Sequence, residues 1–280
     1  MRIIALSFLF SSFIGFCQNG VFNSAYKGNL SLEFGASSNK YAPSSVSFLG
    51  NDYSFTLNNA QFEQFNAGFS LLRINTYLNS QYKIGIGYTV KRGIQVQLNL
   101  DNFQYQLAPQ TLNITGNVNP GHDITGGLSG TYNSTPVDLD SIAFRFSSTS
   151  TKFISLNLNL IQNLYRTKTR LFVLNAIYGL GLGALNTTTS VVFGPAYQND
   201  LTAMAGFGAF AQGGIRIEFF RHFYVFPKIG GGLLLQNRMK LDVSDVTQKA
   251  SHNLWTGQMS INVGIVFFLG KKKNCDCPHF

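Results

Sequence analysis

His122 and Asp123 stand side by side after Asn119-Pro120-Gly121, with Ser129, Ser134 and Ser141 a short way downstream. A histidine, an acid and a hydroxyl are the parts of a hydrolase or acyltransferase. Their spacing forms no nucleophile elbow, and the stretch is rich in turn formers, so it reads as a surface loop. Cys275-Asp276-Cys277-Pro278-His279 offers two thiolates and an imidazole. Three ligands so close together do not easily wrap a tetrahedral ion, and a disordered tail is the better reading. Gly179-Leu180-Gly181-Leu182-Gly183 has the look of a phosphate loop, but it lies inside an alternating segment and opens no helix. No catalytic, cofactor-binding or metal residue is therefore expected, and no cofactor. What remains is a balanced set of charges on the less apolar side of alternating segments: Glu33, Lys83, Asp101, Arg216, Glu218 and Lys228.

Those segments are the elements that must position them. Period-two alternation predicts eight strands. The first runs over 29–36, the second over 81–89 and the third from Ile94 to about Tyr105. The fourth starts near Lys152 with Ile154, Leu156, Leu158 and Leu160 on one face. The fifth runs from Leu171 to about Gly183, the sixth over 202–219, the seventh over 223–235 and the eighth over 254–269. In the third, Phe103 and Tyr105 take over the apolar role after Asp101, which predicts a phase slip at a bulge or at emergence from a membrane. A further strand over 68–75, with a partner in a loop, would make ten. Connections after strands two, four and six are short: Lys91-Arg92-Gly93, Arg166 to Arg170 and Arg221-His222. Those after strands one, three, five and seven read as long, the second exceeding 40 residues from about Gln106 to Thr151. Short turns at one rim and long loops at the other predict an all-β, antiparallel, up-and-down transmembrane barrel of about eight strands.

Composition agrees. Charged residues make up 12% of the 280 residues, against about 25% in soluble proteins. Aromatics reach 14%, with 26 Phe and one Trp. The first residues read as a cleaved signal peptide over 1–17, with Arg2 ahead of an apolar run too short to span a bilayer. Cys17 invites a lipoprotein reading, which Phe16 opposes. The barrel is expected over 18–270 and a basic periplasmic tail over 271–280. Three cysteines give no disulfide framework. The net charge of +9 does not mark a nucleic-acid partner. The short turns and Lys271-Lys272-Lys273 hold nine Lys or Arg and no acid, whereas Asp52, Glu63, Asp123, Asp138, Asp140 and Asp200 fall in the long loops.

A soluble lipocalin-like barrel would alternate too, but it would fill its polar face with Lys, Glu, Asp and Arg. Here that face carries Gly, Asn, Gln and Ser, which suits a confined lumen. Tyr82, Tyr88, Phe172, Phe219, Phe223, Trp255 and Phe267 mark strand ends, as interfacial girdles do. Eight strands enclose a lumen that side chains just fill. Three acids and three bases in such a space must pair, so a plugged interior crossed by salt bridges is expected.

Tyr82-Lys83-Ile84-Gly85-Ile86-Gly87-Tyr88, the basic turn and Leu100-Asp101-Asn102-Phe103-Gln104-Tyr105 resemble uncharacterised outer-membrane β-barrels of Bacteroidota-type bacteria. The stretch Asn51-Asp52-Tyr53-Ser54-Phe55-Thr56-Leu57 is similar to their first long loop. Asn102 and Gln104 stand where that family carries His and Lys. The resemblance implies fold and an outer-membrane location and brings no established activity. The function expected is a structural or surface-interaction barrel that displays its loops. A narrow solute channel and a lipid-modifying or proteolytic rim enzyme are the alternatives. Expected partners are outer-membrane lipids, the barrel-assembly machinery and an external ligand or partner at the loops.

Overall fold

The computed structural model describes residues 27–64, 81–119, 128–139, 144–168, 171–193, 197–220, 222–241 and 247–269. The proposed signal peptide, the 68–75 segment and the tail lie outside them. The described chain forms thirteen strands: β1 (Asn29–Tyr41), β2 (Ser44–Leu49), β3 (Tyr53–Ala60), β4 (Phe62–Gln64), β5 (Tyr82–Lys91), β6 (Ile94–Leu107), β7 (Thr111–Val118), β8 (Gly130–Asp138), β9 (Phe144–Arg166), β10 (Phe172–Phe193), β11 (Tyr197–Phe219), β12 (Phe223–Lys240) and β13 (Lys249–Phe268).

Eight of them close a ring. The antiparallel order β1-β5-β6-β9-β10-β11-β12-β13 returns to β1, where Asn29 to Tyr41 pair with Phe268 to Thr256. Closure leaves no sheet edge in the ring, which is the condition for backbone to lie in hydrocarbon. The turns at one end are tight. Arg92-Gly93 joins β5 to β6, with Gly93 at a φ of 79°, a left-handed conformation that glycine adopts without strain. Both described ends of the chain lie at this rim, where the Leu269 amide donates to the Gly28 carbonyl.

Several expected boundaries are corrected. Strand pairing does not stop where the outward apolar alternation stops. The fourth ring strand begins at Phe144 rather than near Lys152, and the fifth continues past Gly183 to Phe193. The sixth begins at Tyr197, and residues 194–196 alone separate it from the fifth, so that connection is not a long loop. The seventh reaches Lys240 and the eighth begins at Lys249. The stretch from Gln106 to Thr151 is itself largely strand, holding the end of β6, β7, β8 and the start of β9. The five strands beyond the ring belong to this extension. Above Leu254, β13 leaves β1 behind and pairs with β2, and the sheet runs on through β3, β7 and β8, while β4 pairs with β6.

The slip expected after Asp101 is also corrected. Gln95, Gln97, Asn99, Asp101, Phe103 and Tyr105 all face inward on one unbroken alternation, and all are buried. The strand keeps its phase while the inner face changes from polar to apolar. A register shift does occur between Phe103 and Tyr105, opposite Ser148–Thr151, and it is β9 that accommodates the extra residue.

The molecule therefore has two zones with opposite chemistry. Near the short turns the outward face is apolar: Leu156, Leu158, Leu180, Leu182, Ile229, Met259 and Val263 are all exposed, Leu182 at 70%. On β9 this band runs from Ile154 to Leu164, about the length a tilted strand needs to cross a bilayer. Beyond it Lys152 is exposed, and the interior turns apolar instead. Val46, Phe48, Tyr53, Phe55, Leu57, Phe62, Phe103, Tyr105, Ile114, Phe146 and Phe153 form one buried cluster. That upper zone is built like a water-soluble protein, with β2, β3, β4 and β7 packed across the end of the ring as a cap.

Candidate functional site: the filled lumen and its cap

The lumen of the lower zone is lined by alternate residues of all eight ring strands. Its mouth, among Asn29, Ser31, Thr89, Gln95, Arg216 and Glu218, leaves a cavity of about 10 Å³, the room of a single water. All six lumen charges expected from the sequence lie inside and are buried. They stand in three ion pairs: Lys83–Asp101 at 3.1 Å, Arg216–Glu218 at 2.5 Å, and Lys228 with Glu33. Lys83 and Asp101 face each other across the β5–β6 ladder, so register alone brings them together. Lys228 and Glu33 come from strands that do not pair, and meet across the lumen.

The pairs interlock. Lys83 Nζ donates to Gln258 Oε1 at 2.5 Å and also lies within electrostatic range of Glu33. Asp101 is likewise within range of Lys228. This makes a four-charge cluster in the middle of the lumen. Nearer the mouth, Asn175 donates to Glu218 at 2.8 Å and accepts from Asn163 at 3.0 Å. Tyr224 lies near both groups: its ring is 5.1 Å from the Arg216 guanidinium and its hydroxyl donates to the Leu32 carbonyl at 3.2 Å. That ring packs across Gly264, where a Cβ would fall 2.3 Å from the Tyr224 Cζ. Rings also floor the cations, Phe226 at 4.6 Å from Lys228 and Phe210 at 5.4 Å from Lys83.

Phe210 begins the transition to the cap, its ring tilted against Phe103, which in turn meets Phe153. Above them Tyr105 donates to Gln236 at 2.5 Å, and burial raises its phenol above the ordinary range. Then comes His252, 1% exposed and ringed by Phe62, Tyr105 and Phe146 with centroids at 4.5, 5.7 and 6.4 Å. Its Nε2 is 2.7 Å from the Ser44 hydroxyl. A serine bonded to a histidine is the start of a nucleophilic site. Burial, however, pushes this imidazole down to about 3, so it is a weak base, and among the described residues no acid is paired with it. Its Nδ1 finds no hydrogen-bond partner. The pair is a polar tie within the cap.

Sequence reasoning missed both His252–Ser44 and the cap. The hydrogen-bond partner of His252 is 208 residues away, and Phe62 and Phe146, which pack on its ring, lie in stretches read as loops. A signal was present in the alternation of Val46 with Phe48, of Tyr53, Phe55 and Leu57, and of Leu112 with Ile114. His122, Asp123, Ser141, Cys275, Cys277 and His279 lie outside the described residues. Ser129 and Ser134 are exposed, on the approach to β8 and within it, and the described histidines, His222 and His252, lie in the β11–β12 turn and in β13. On the outer side of the cap, Glu63, Gln106, Ser147, Ser190 and Asp200 follow one another across five paired strands. Together with Arg145 they line a cleft of about 430 Å³, large enough for a small ligand.

No protein-family model matches this chain. No curated protein matches it either. Among solved structures it is similar to the N-terminal β-barrel domain of OprF from Pseudomonas aeruginosa, at 12% identity and a TM-score of 0.38 over 86% of this chain and 98% of that one. It is also similar to OprG, an outer-membrane protein of the same organism, at 11% identity and a TM-score of 0.38 over 86% and 96%. Ail, the attachment invasion locus protein of Yersinia pestis, gives 8% identity and a TM-score of 0.34 over 86% and 100%. The barrel itself is given by the closed ring of strand pairs.

Proposed function

We propose that this chain is an integral outer-membrane β-barrel whose lumen is closed and whose role is structural or one of surface interaction. Its short turns face the periplasm, and its strands carry a folded cap beyond the outer surface. The observation that carries this reading is the reversal of chemistry along single strands. On β9, Ile154, Leu156, Leu158, Leu160 and Leu164 turn outward and Ser155, Asn157, Asn159 and Asn163 inward, whereas Phe144 and Phe146 on the same strand point into a core. Only a solvent that changes from hydrocarbon to water along the strand makes both halves favourable.

The closed lumen favours display over transport. In support of this, the three ion pairs cross the lumen among the described residues with the aromatic cluster beyond them, and the cleft at Glu63, Gln106, Arg145 and Asp200 gives the cap a surface on which a ligand can sit. The resemblance to Bacteroidota-type outer-membrane barrels fits the same reading. The test has two parts. Protein extracted from outer membranes should migrate differently on a detergent gel before and after boiling. Protease added to intact cells should cleave within the cap and spare the ring. Recovery of the mature chain from the soluble periplasm, with no gel shift, would overturn the reading.

A further inference from the structure

We infer that the short-turn rim is a binding collar for the headgroups of anionic phospholipids. The inference rests on the membrane-barrel reading above and adds a ligand to it.

Three observations converge on this rim. The first is charge. Lys27, Lys91, Arg92 and Lys168 are exposed there and Arg166 is half-exposed, and the described turn residues include no acid. Among the described acids, Glu33 and Glu218 come nearest, and both are buried in ion pairs inside the lumen. The exposed acids of the described chain, Asp52, Glu63, Asp138 and Asp200, all belong to the opposite end. Lys27 is held beside the first turn because the next residue, Gly28, donates its amide to the Thr89 carbonyl at 2.8 Å. One Arg166 guanidinium nitrogen, Nη1, is buried with no hydrogen-bond partner.

The second observation is the ring of aromatic side chains directly above the cations. Tyr88, Tyr165, Phe223, Phe267 and Phe268 are all exposed. They fix the depth of the rim, since amphipathic and aromatic rings settle at the headgroup level. Cations one to four residues further along the chain, such as Lys91 and Arg92 after Tyr88 and Arg166 and Lys168 after Tyr165, then lie among the phosphates.

The third is Phe220. It sits in the β11–β12 turn at a φ of +51°, a left-handed conformation costly for a bulky side chain, and its ring is 69% exposed. Among the described residues nothing buries that side chain. A strained backbone that presents an aromatic ring outward gains from it only if the turn is immersed in an amphiphile. Cations flanked by inserted rings favour a bilayer surface over a soluble polyanion, and a net positive rim favours phosphatidylglycerol-type headgroups over zwitterionic ones.

The test uses the full mature barrel refolded into phosphatidylcholine vesicles carrying a trace of spin-labelled phosphatidylglycerol or spin-labelled phosphatidylcholine. The motionally restricted fraction at the protein surface gives the relative affinity for the two lipids. Wild type should prefer phosphatidylglycerol by roughly fivefold for each cation engaged, with the preference falling as salt rises. The combined variant Lys91→Gln, Arg92→Gln, Arg166→Gln, Lys168→Gln should bring the ratio close to one while its gel shift stays intact. A wild-type ratio of one in a barrel that shows the gel shift would overturn the collar and leave the membrane reading standing. A preference that survives in the variant would overturn it too, as would a ratio of one accompanied by binding of a soluble anionic polymer. Absence of the gel shift would remove the underlying reading itself.

Discussion

Lys228 illustrates why buried charges in the lumen come in pairs. Its ammonium is held by Glu33, rests on the Phe226 ring and is almost wholly withdrawn from water. Lys228→Met would remove one partner and leave the Glu33 carboxylate with the Lys83 charge and a Gln97 hydrogen bond for compensation. Breaking a buried pair costs about 3–5 kcal/mol, and the residual attraction of Lys83 places this variant toward the lower end. The double variant Glu33→Gln, Lys228→Met should recover most of that loss, because no uncompensated charge remains. Trp255 is the only tryptophan in the chain and faces outward on β13, so its fluorescence during denaturant unfolding in vesicles reads both variants. A double variant as unstable as the single one would refute the pairing argument.

His252 gives the cap its own pH dependence. Its folded-state pKa is pushed down to about 3 by burial, against 6.5 for a free imidazole. The native cap therefore keeps the ring neutral while the unfolded chain takes up a proton below about pH 6.5. The stability is fully present above that pH and is lost as pH falls toward 3, at about 1.4 kcal/mol per pH unit in the steepest part. His252→Phe keeps an aromatic ring among Phe62, Tyr105 and Phe146 and removes the titration. Its cap stability, followed by protease resistance between pH 6.5 and 4, should be flatter than that of wild type. Equal slopes in the two proteins would show that another group sets the acid limb.

At the scale of elements, the ring strands were legible in the sequence and the cap strands were not. The reason is the solvent on each side. Ile94, Val96, Leu98 and Leu100 alternate with amides and an aspartate, and no other arrangement of β6 hides the first set from water while keeping the second inside. The lumen charges were legible for the same reason, since Glu33, Lys83 and Lys228 sit in register with Gly, Ser and Asn. Which charge pairs with which was not, because Lys228 meets Glu33 across the lumen rather than across a ladder. The cap strands are short, and their residues read as turn-rich loop. Their length and pairing depend on partners far along the chain, such as β3 with β7 and β2 with the top of β13. What marks them is aromatic density. Phe48 and Phe55 stack at 5.0 Å and meet Phe144 edge-on. Phe55→Ala should cost about 3–5 kcal/mol, confined to the cap. Limited proteolysis should then cut within β2, β3 or β7 faster than in wild type, while the heat-induced gel shift that reports the ring keeps its midpoint. Equal losses in cap and ring would mean the two zones unfold as one unit.

At the scale of the whole molecule, two different plugs lie in series along one axis. The lower is polar: four interlocked charges with Gln258, floored by Phe210 and Phe226. The upper is apolar, the aromatic cluster that β2, β3, β4 and β7 complete above the ring. On the proposed closed-lumen reading they seal for different reasons, the first because its side chains fill a narrow lumen and the second because it excludes water. Truncating the charges with Lys83→Ala, Lys228→Ala should hydrate the lower lumen and still give no conductance, since the cap remains shut. Deleting residues 110–138, which removes β7 and β8, should loosen the cap and likewise stay silent, since the ion cluster still fills the lumen. Only the two changes together should yield ion current in planar bilayers. Steady current through either change alone would mean that one plug does all the sealing, and current through the wild type would mean that neither does.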